Sequence, residues 1–576
     1  MTVPYRWERL VCDEPAAARL AEDLGLDPVI ARLLVVRGLT DPDEADRFLN
    51  PSLDHLHDPM LLTGMAPAVE RLLAAIAARE PIAVHGDYDV DGITATVIVR
   101  RALEMLGGDV VHFVPERIRD GYGLNIPAIE RLHAEGVRVV VSVDCGIRGA
   151  QAARRARDLG LDLIITDHHE PDAELPDALA VVNPKRKDCR YPDKHLAGAG
   201  VALKLVQALC ARTGRDGWLP AFIKIAALGT LADVVPLLGE NRVIAKLGLD
   251  ALSRGPHKVG LRALIESAGL AGKAIDSYHV AFMLAPRMNA AGRMSTPDIA
   301  LRLLLASGDE MAQEARELAA QLNTENERRQ HEERSVLAEA RRLVEHDPDV
   351  GSRYVLVVAG EGWHRGVIGI VASRLVDAFH KPAVVLSVEG ATAHGSCRSI
   401  PAFDMLEALE ACAAHLQQFG GHRAAAGLTM ERDRIAAFRA AIAGWAEDRL
   451  NPDDLRPRLR VDAPLGFRQI TPRLMAGLNR MAPFGIGNPR PVFWTAGAQL
   501  ADGPRRLKER HLSMSLRHDG VPLRAVFWRA AERAADIAAA RGGLDVAYSV
   551  EQNTFNGTTS LELSLSDARP AGAGEP

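Results

Sequence analysis

The 576-residue chain is short of cysteine, of long apolar runs and of net positive charge. Its six cysteines (Cys12, Cys145, Cys189, Cys210, Cys397 and Cys412) are scattered, with no CxxC pair. That excludes a zinc ribbon or a dense disulfide framework and fits free thiols in a reducing compartment. No run of about 18 or more apolar residues occurs, so no long apolar helix is available to span a membrane. The opening MTVPYRWERLVCDEP lacks the apolar stretch of a secretory signal, so a cytoplasmic protein without membrane association is expected. Net charge is −6, which by itself disfavours a polyanionic partner. The distribution reverses that reading. Residues 451–530 hold 14 Lys/Arg against 6 Asp/Glu, a local net of +8 on a body of −14. A basic segment on an acidic body is a better footprint of polyanion binding than the global charge.

What is present is ordinary globular composition, 47% apolar and 25% charged, over a length that suggests about three to four domains. Residues 1–50 read as a short helical preface. From residue 80, apolar β-branched runs (PIAVH, DVVHFVP, VRVVVSVD, LDLIITD, ALAVVNP) alternate with helical stretches, and residues 196–305 read as mostly helical. This is the pattern of a parallel sheet covered by helices, where ligands bind beyond the carboxyl ends of the strands. Residues 309–345 contain no Gly or Pro and are dense in Glu, Arg and Gln, which predicts one long connecting helix. A second α/β unit follows, and short alternating runs such as HLSMSLRH, PLRAVFW and SLELSLSD predict a small β-barrel. The expected architecture is α/β: a preface over 1–50, a parallel-sheet domain over 51–305, a connecting helix over 306–347, a second α/β domain over 348–450, and an OB-like barrel over 455–570. ARPAGAGEP, at the end, reads as a disordered tail.

The stretch PIAVHGDYDVDGITATVIVRRAL (81–103) runs from a buried strand into His85, Asp87, Asp89 and Asp91. Carboxylates this close repel, and are tolerated mainly where a cation neutralises them. Later strands also end in potential ligands: Asp144 in VVVSVDCG, and Asp167, His168 and His169 in LDLIITDHHE. Asp233 interrupts the apolar LGTLADVVPL. Singly, each reads as a turn residue, a cap or a solvated histidine. Together they place several carboxylates and imidazoles on one rim of one sheet. That donor set suits manganese or magnesium better than zinc or copper, and a carboxylate between two such ions can bridge them for water activation against a phosphodiester.

HGDYDVDG, SVDCG, TDHHE and LADVVP resemble the four motifs of the DHH phosphoesterases. FVPERIRDGYGL, PRMNAAGRM, GWHRGVIGIVASRL, GSCRS, GGHRAAAGL and PFGIGNPRPVF narrow the resemblance to the RecJ family of bacterial single-strand-specific 5′→3′ DNA exonucleases, over nearly the whole chain. The resemblance implies a DHH domain, a DHHA1 domain and an OB domain, two Mn²⁺ or Mg²⁺ ions, release of 5′-mononucleotides, and a role in DNA recombination and repair. It implies one ion on Asp89, Asp144, His168 and Asp233, and a second on His85, Asp87 and Asp144. His169 is expected at the scissile phosphate, Asp167 behind a histidine, and Asp91 as the cap of the helix beginning near Ile93. Arg117, Ser396 and Arg398 resemble the family's 5′-phosphate pocket; a guanidinium fork matches phosphate oxygens bidentately. Arg287, Asn289 and Arg293 either line the strand's path or tie helices together, and His422 in GGHRAAAG is expected at a phosphodiester. Of Phe484, Phe493, Trp494, Phe527 and Trp528, at most two are expected to be exposed for base stacking. Cys145 and Cys397 are expected to have no chemical role. Implied partners are single-stranded DNA, a helicase and single-strand-binding protein, acting on a monomer. Two alternatives are weighed: a nanoRNA or cyclic-dinucleotide phosphodiesterase, which needs no basic extension, and a non-catalytic replication scaffold, which would have lost ligands present here.

Overall fold

The computed structural model describes residues 5–117, 119–121, 123–347, 350–555 and 558–572. The chain divides into two compact units, one of residues 41–328 with 479–490, the other of the remaining segments.

The first unit is built on a five-stranded parallel sheet: β1 (Ile82–His85), β2 (Val110–Phe113), β3 (Val139–Val143), β4 (Asp162–Thr166) and β5 (Ala180–Val182), in the order β2-β1-β3-β4-β5. Alternation explains why these strands read as continuous apolar runs. Val139, Val141 and Val143 enter the core on one face, while Val140 enters a second cluster on the other. Helices α1 (Val90–Met105), α2 (Gly198–Thr213) and α3 (Leu219–Ala232) contribute to the larger of these cores. A helical run follows from Ser277 through a π-helical turn, Val280–Leu284, into α4 (Ala285–Met294).

The predicted connecting helix is α5 (Ala312–His346), 35 residues and about 52 Å long at ~1.5 Å per residue. Its first turns bury Ala315, Leu318, Ala319 and Leu322 in the first core, and the division between the units falls within it, after Arg328.

The second unit contains a mixed sheet of β6 (Leu356–Glu361), β7 (Ala383–Glu389), β8 (Thr392–Arg398), β9 (Gln418–His422) and β10 (Ala425–Glu431), with α6 (Ile368–Phe379) packed on β7 and β8. It also contains the barrel. Strands β11 (Phe493–Leu507), β12 (His511–His518), β13 (Val521–Phe527), β14 (Leu544–Phe555) and β15 (Thr558–Pro570) pair in the order β11-β12-β13-β15-β14, and β14 pairs back to β11 to close the ring. Closure gives every strand of the ring a partner on both sides over part of its length.

Three sequence expectations change. The preface is not wholly helical: Arg6–Arg9 is a strand that pairs in parallel with Arg458–Val461. Only Trp7 of its four residues is buried, so it has little local apolar signal, and its partner lies some 450 residues away. Three helices follow, each opening on an aspartate cap (Asp13, Asp27, Asp41) with a proline in the first turn. The expected tail begins later than read, because residues 568–570 finish β15; residues 573–576 lie outside the described residues. Finally, Asn479–Arg490, carrying PFGIGNPR, packs with the first unit rather than with the barrel it precedes. The buried Arg242 anchors it there, its Nη2 donating to the carbonyls of Arg480, Met481 and Ala482. No single helix among the described residues is long and apolar enough to cross a membrane.

Candidate metal centre and phosphate-facing strands

Most of the metal centre follows from the order of the sheet. β1, β3 and β4 are neighbours, so His85, Asp144 and Asp167–His169 emerge side by side at their carboxyl ends. Asp233 arrives from outside the sheet as the C-terminal cap of α3. The result is three overlapping groups whose ligand atoms each lie within 4.8 Å of one another: Asp87, Asp89 and Asp144; Asp91, His168 and Asp233; Asp144, His168 and His169. His168 Nε2 stands 3.1 Å from Asp144 Oδ1 and 3.7 Å from Asp233 Oδ2. Asp144 belongs to two groups, the place a bridging carboxylate must occupy.

The surroundings hold this convergence in place. Asp144 adopts φ +59°, a left-handed backbone uncommon outside glycine and concentrated at functional sites. Its backbone N–H donates to Thr166 O at 2.9 Å. Gly198 lies so close that a Cβ there would sit 2.4 Å from Asp144 Oδ1, so any other residue would displace the carboxylate. Asp89 caps α1, accepting from Gly92 N at 3.1 Å. Contrary to the expectation from sequence, Asp91 does not cap its own helix. It is buried in the first turn of α1, and its two oxygens accept from Gly198 N at 2.6 Å and Ala199 N at 2.8 Å, capping α2. The local pattern shows that an aspartate stands near a helix start, but not which helix start it will face.

Burial sets the protonation states. It raises the pKa values of Asp87, Asp91 and Asp144 well above the usual carboxylate range, and the neighbouring carboxylates push further in the same direction. It lowers His85 and His168 to about 4, so both imidazoles are neutral and able to ligate. His169 behaves oppositely. Burial would lower it, but Asp167 Oδ1, 2.7 Å from its Nδ1, outweighs that and raises it. Asp167 also accepts from the backbone N–H groups of Ile147, His168 and His169, which makes it the orienting group of this loop.

The site fits a divalent cation. Among the described residues, His85 Nε2, Asp87 Oδ1, Asp144 Oδ1 and Asp233 Oδ2 are all buried without a hydrogen-bond partner, though buried polar atoms are normally paired. Carboxylates with some imidazole match the preferences of Mn²⁺ and Mg²⁺. Cys145, expected to be inert, lies with Sγ 3.6 Å from His85 Nδ1, on the ring edge opposite the unpaired nitrogen. Cys397 is buried in the core of the second unit.

Around the centre, Arg117 stands over the ring of Tyr88, its Cζ 5.1 Å from the centroid. Asn289 Oδ1 accepts from Val90 N, and a Cβ at Gly292 would meet Tyr88 O at 2.7 Å, so α4 holds the acidic loop from the side. Arg287 is turned toward Asn323 Oδ1 at 2.6 Å and Met283 O, a tie between helices. The charge of Arg293 opposes the upward shift that burial imposes on Tyr88.

In the second unit, strand register gathers the other sequence candidates. Arg398 pairs with Ala425, which pairs with His422, and Ser396 pairs with Gly427 opposite Gly420. Residues directly opposite, or two apart along a strand, share a sheet face, so Ser396, Arg398 and His422 face one way. Arg398 Nη1 donates to Ser396 Oγ at 3.3 Å and Cys397 O at 2.8 Å. A Cβ at Gly369, in the first turn of α6, would come within 2.9 Å of Ser396 Oγ, so that helix end abuts the pair. In the barrel Phe493 and Phe527 are core residues, Trp494 lies under Arg9, and Trp528 is exposed against His511. Phe484 is in the first unit, partly buried.

Residues 81–230 match the DHH family N-terminal domain, 351–448 the DHHA1 domain, and 461–567 the RecJ OB domain. The single-stranded-DNA-specific exonuclease RecJ of Bacillus subtilis is 38% identical over 569 residues, 98% of this chain and 70% of that protein. Its Escherichia coli counterpart is 33% identical, over 95% of this chain and 96% of that one. The crystal structure of RecJ from Thermus thermophilus in complex with Mn²⁺ superposes with a TM-score of 0.84 at 33% identity, covering 99% of this chain and 80% of that chain. The Mg²⁺ complex of that protein gives 0.79 at 32% identity, covering 99% and 79%. By full-length similarity, three ordered domains and an intact ligand set, the chain belongs to the RecJ family of single-stranded-DNA-specific exonucleases.

Proposed function

We propose that the chain is a metal-dependent exonuclease that degrades single-stranded DNA from the 5′ end and releases 5′-mononucleotides. The observation that carries this reading is Asp144: a buried carboxylate on a left-handed backbone, shared by two ligand groups and lacking, among the described residues, a hydrogen-bond partner at Oδ1. In this reading two Mn²⁺ or Mg²⁺ ions would be held, one by Asp89, Asp144, His168 and Asp233, the other by His85, Asp87 and Asp144. Bound there, they would supply an activated water and neutralise charge on the scissile phosphate.

The chain's own groups do the positioning. Asp167 fixes the ring of His169 and favours its protonated form, so His169 can donate to a phosphate oxygen. Asp91 and Gly198 lock the start of α2 against Asp144. Ser396 and Arg398 present hydroxyl and guanidinium donors to a terminal phosphate, and Arg117 offers a second guanidinium in its own unit. His422 lies beside glycines that admit a phosphodiester closely. Arg293 and Asn289 support the acidic loop, and Arg287 acts in the helix tie.

Digestion of 5′-overhang, 3′-overhang and blunt substrates with added Mn²⁺ tests the reading. Mononucleotides should appear from the 5′-overhang first. Equal attack on 3′-overhangs would overturn the polarity, and a preference for dinucleotides over long strands would point to a small-substrate phosphodiesterase.

A further inference from the structure

The turn after β3 brings two neighbouring side chains to the metal centre, and only one of them belongs to the ligand set. Asp144 contributes its carboxylate to two ligand groups. Cys145, the next residue, is 1% exposed and lies against His85 instead, with Sγ 3.6 Å from Nδ1 and 3.9 Å from the carbonyl oxygen of His85. The turn itself fixes the sulfur in that place. Asp144 and Gly146 both take positive φ, +59° and +111°. Ser142 Oγ donates to Cys145 O at 2.9 Å, and Thr166 Oγ1 donates to Ser142 O at 2.8 Å. A Cβ at Gly146 would lie 2.7 Å from Ser142 Oγ, so the hydroxyl that holds Cys145 also requires a glycine after it.

The ring of His85 is confined as well. Phe113 lies beside it, centroids 5.2 Å apart and planes tilted by 32°, and β1 holds its backbone between β2 and β3. Its two nitrogens meet different surroundings. Nε2 is buried and, among the described residues, has no hydrogen-bond partner. A neutral imidazole carries one ring proton. On Nε2 that proton would be a buried donor with no acceptor, which costs more than a typical hydrogen bond gains. On Nδ1 it meets the sulfur of Cys145 and the carbonyl of His85 itself. The thiol's own proton is directed at that carbonyl, which leaves the sulfur lone pairs to the ring N–H.

A ligating histidine normally donates its other ring N–H to an acceptor that fixes its tautomer and orientation. We propose that Cys145 is that positioning residue for His85: its sulfur accepts the Nδ1–H and holds the imidazole in the tautomer that presents the Nε2 lone pair to a divalent ion. The sulfur neither ligates nor reacts. The proposal rests on the metal-centre reading and adds to it a residue from outside the ligand set. The sequence conceals this role, because His85 stands 60 positions away and the contact exists only once β1 and β3 are neighbours.

Calorimetric titration of the full chain with Mn²⁺ tests the proposal through a double-mutant cycle of Cys145→Ala and His85→Ala. Cys145→Ala should weaken one bound ion by about 10-fold, the low end for loss of such a partner, because sulfur is a weak acceptor. In the His85→Ala background the same change should cost nothing. A second readout needs no metal. With ¹⁵N-labelled histidine, the ring signals of His85, assigned by their loss in His85→Ala, should show the Nδ1–H tautomer in the unaltered protein and a mixture in Cys145→Ala. No loss of affinity, or an equal loss in both backgrounds, overturns the positioning role. So does an Nε2–H signal in the unaltered protein, a result that stands even where Cys145→Ala fails to fold. If His85→Ala itself leaves Mn²⁺ affinity unchanged, the ligand reading falls first and takes the positioning role with it.

Discussion

The rim of the parallel sheet and the Ser396–Arg398–His422 face of the second sheet both meet phosphate in the proposed function, yet they are built in opposite ways. The rim crowds like charges into a buried space: Asp87, Asp91 and Asp144 all hold protons more tightly than free carboxylates do, and Asp144 sits on a strained backbone. The strand face is simpler. Its cationic and hydroxyl groups lie half-buried or exposed on regular β-structure, brought to one face by strand register. A site meant for cations is incomplete until they arrive and is unstable in proportion. A site meant for an anion needs only the right donors in the right rows.

The sharpest way to break this contrast is to remove a rim carboxylate. Asp89→Ala, Asp144→Asn and Asp233→Ala should each lower hydrolysis in Mn²⁺ by more than about a hundredfold while single-strand binding stays measurable. Without metal, Asp144→Asn should melt no lower than the unaltered protein, because asparagine tolerates φ +59° and one buried charge is gone. A variant retaining a third of its turnover would remove that residue from the ligand set.

On the strand face, Arg398→Ala should weaken use of 5′-phosphorylated ends relative to 5′-hydroxyl ends by about 1.5–3 kcal/mol, a charge-assisted hydrogen bond's worth. Competition between the two kinds of end reads this directly. Equal loss on both would assign Arg398 to structure or to an internal phosphate.

The electrostatic contrast also has a pH signature. Raised carboxylate pKa values mean that the folded, metal-free protein binds more protons than the unfolded chain above the usual carboxylate range. The carboxylates' own contribution to stability therefore falls as pH rises through that window. Ions replace those protons, so binding releases them and is favoured at higher pH. His85 and His168, lowered to about 4, are neutral throughout. The rise in Tm on adding Mn²⁺ should be larger at pH 8 than at pH 5; an equal rise would show that the cluster is already deprotonated when empty.

The smallest effect concerns the barrel. Cutting the chain before it would also strip Asn479–Arg490 from the first unit and leave the guanidinium of Arg242 buried without its carbonyls. Neutralising the exposed Arg505, Arg506, Lys508 and Arg510, at the turn between β11 and β12, avoids that damage. It should weaken binding of long strands several-fold and flatten the slope of log affinity against log salt, because fewer counterions are released. An unchanged slope would mean that this basic turn does not hold DNA.

The sequence by itself determined the parallel sheet, the long helix and the candidate ligands, because each has a local cause. Apolar β-branched runs make strands buried on both faces, a stretch without Gly or Pro makes one helix, and carboxylates after strands fall on one rim once the strands are parallel. Tertiary structure alone decided what depends on residues far apart in the chain. Asp91 faces the start of α2, about 107 positions away, because helix packing places two backbone N–H donors there. Arg6–Arg9 becomes a strand because Arg458–Val461 supplies its hydrogen bonds. The stretch before PFGIGNPR is tied to the first unit because Arg480, Met481 and Ala482 offer their carbonyls to the buried cation of Arg242. Tyr278 and Phe282 stay exposed because packing leaves their side of the helix uncovered. A backbone donor, a sheet partner and an uncovered face have no residue type of their own, so no local pattern encodes them.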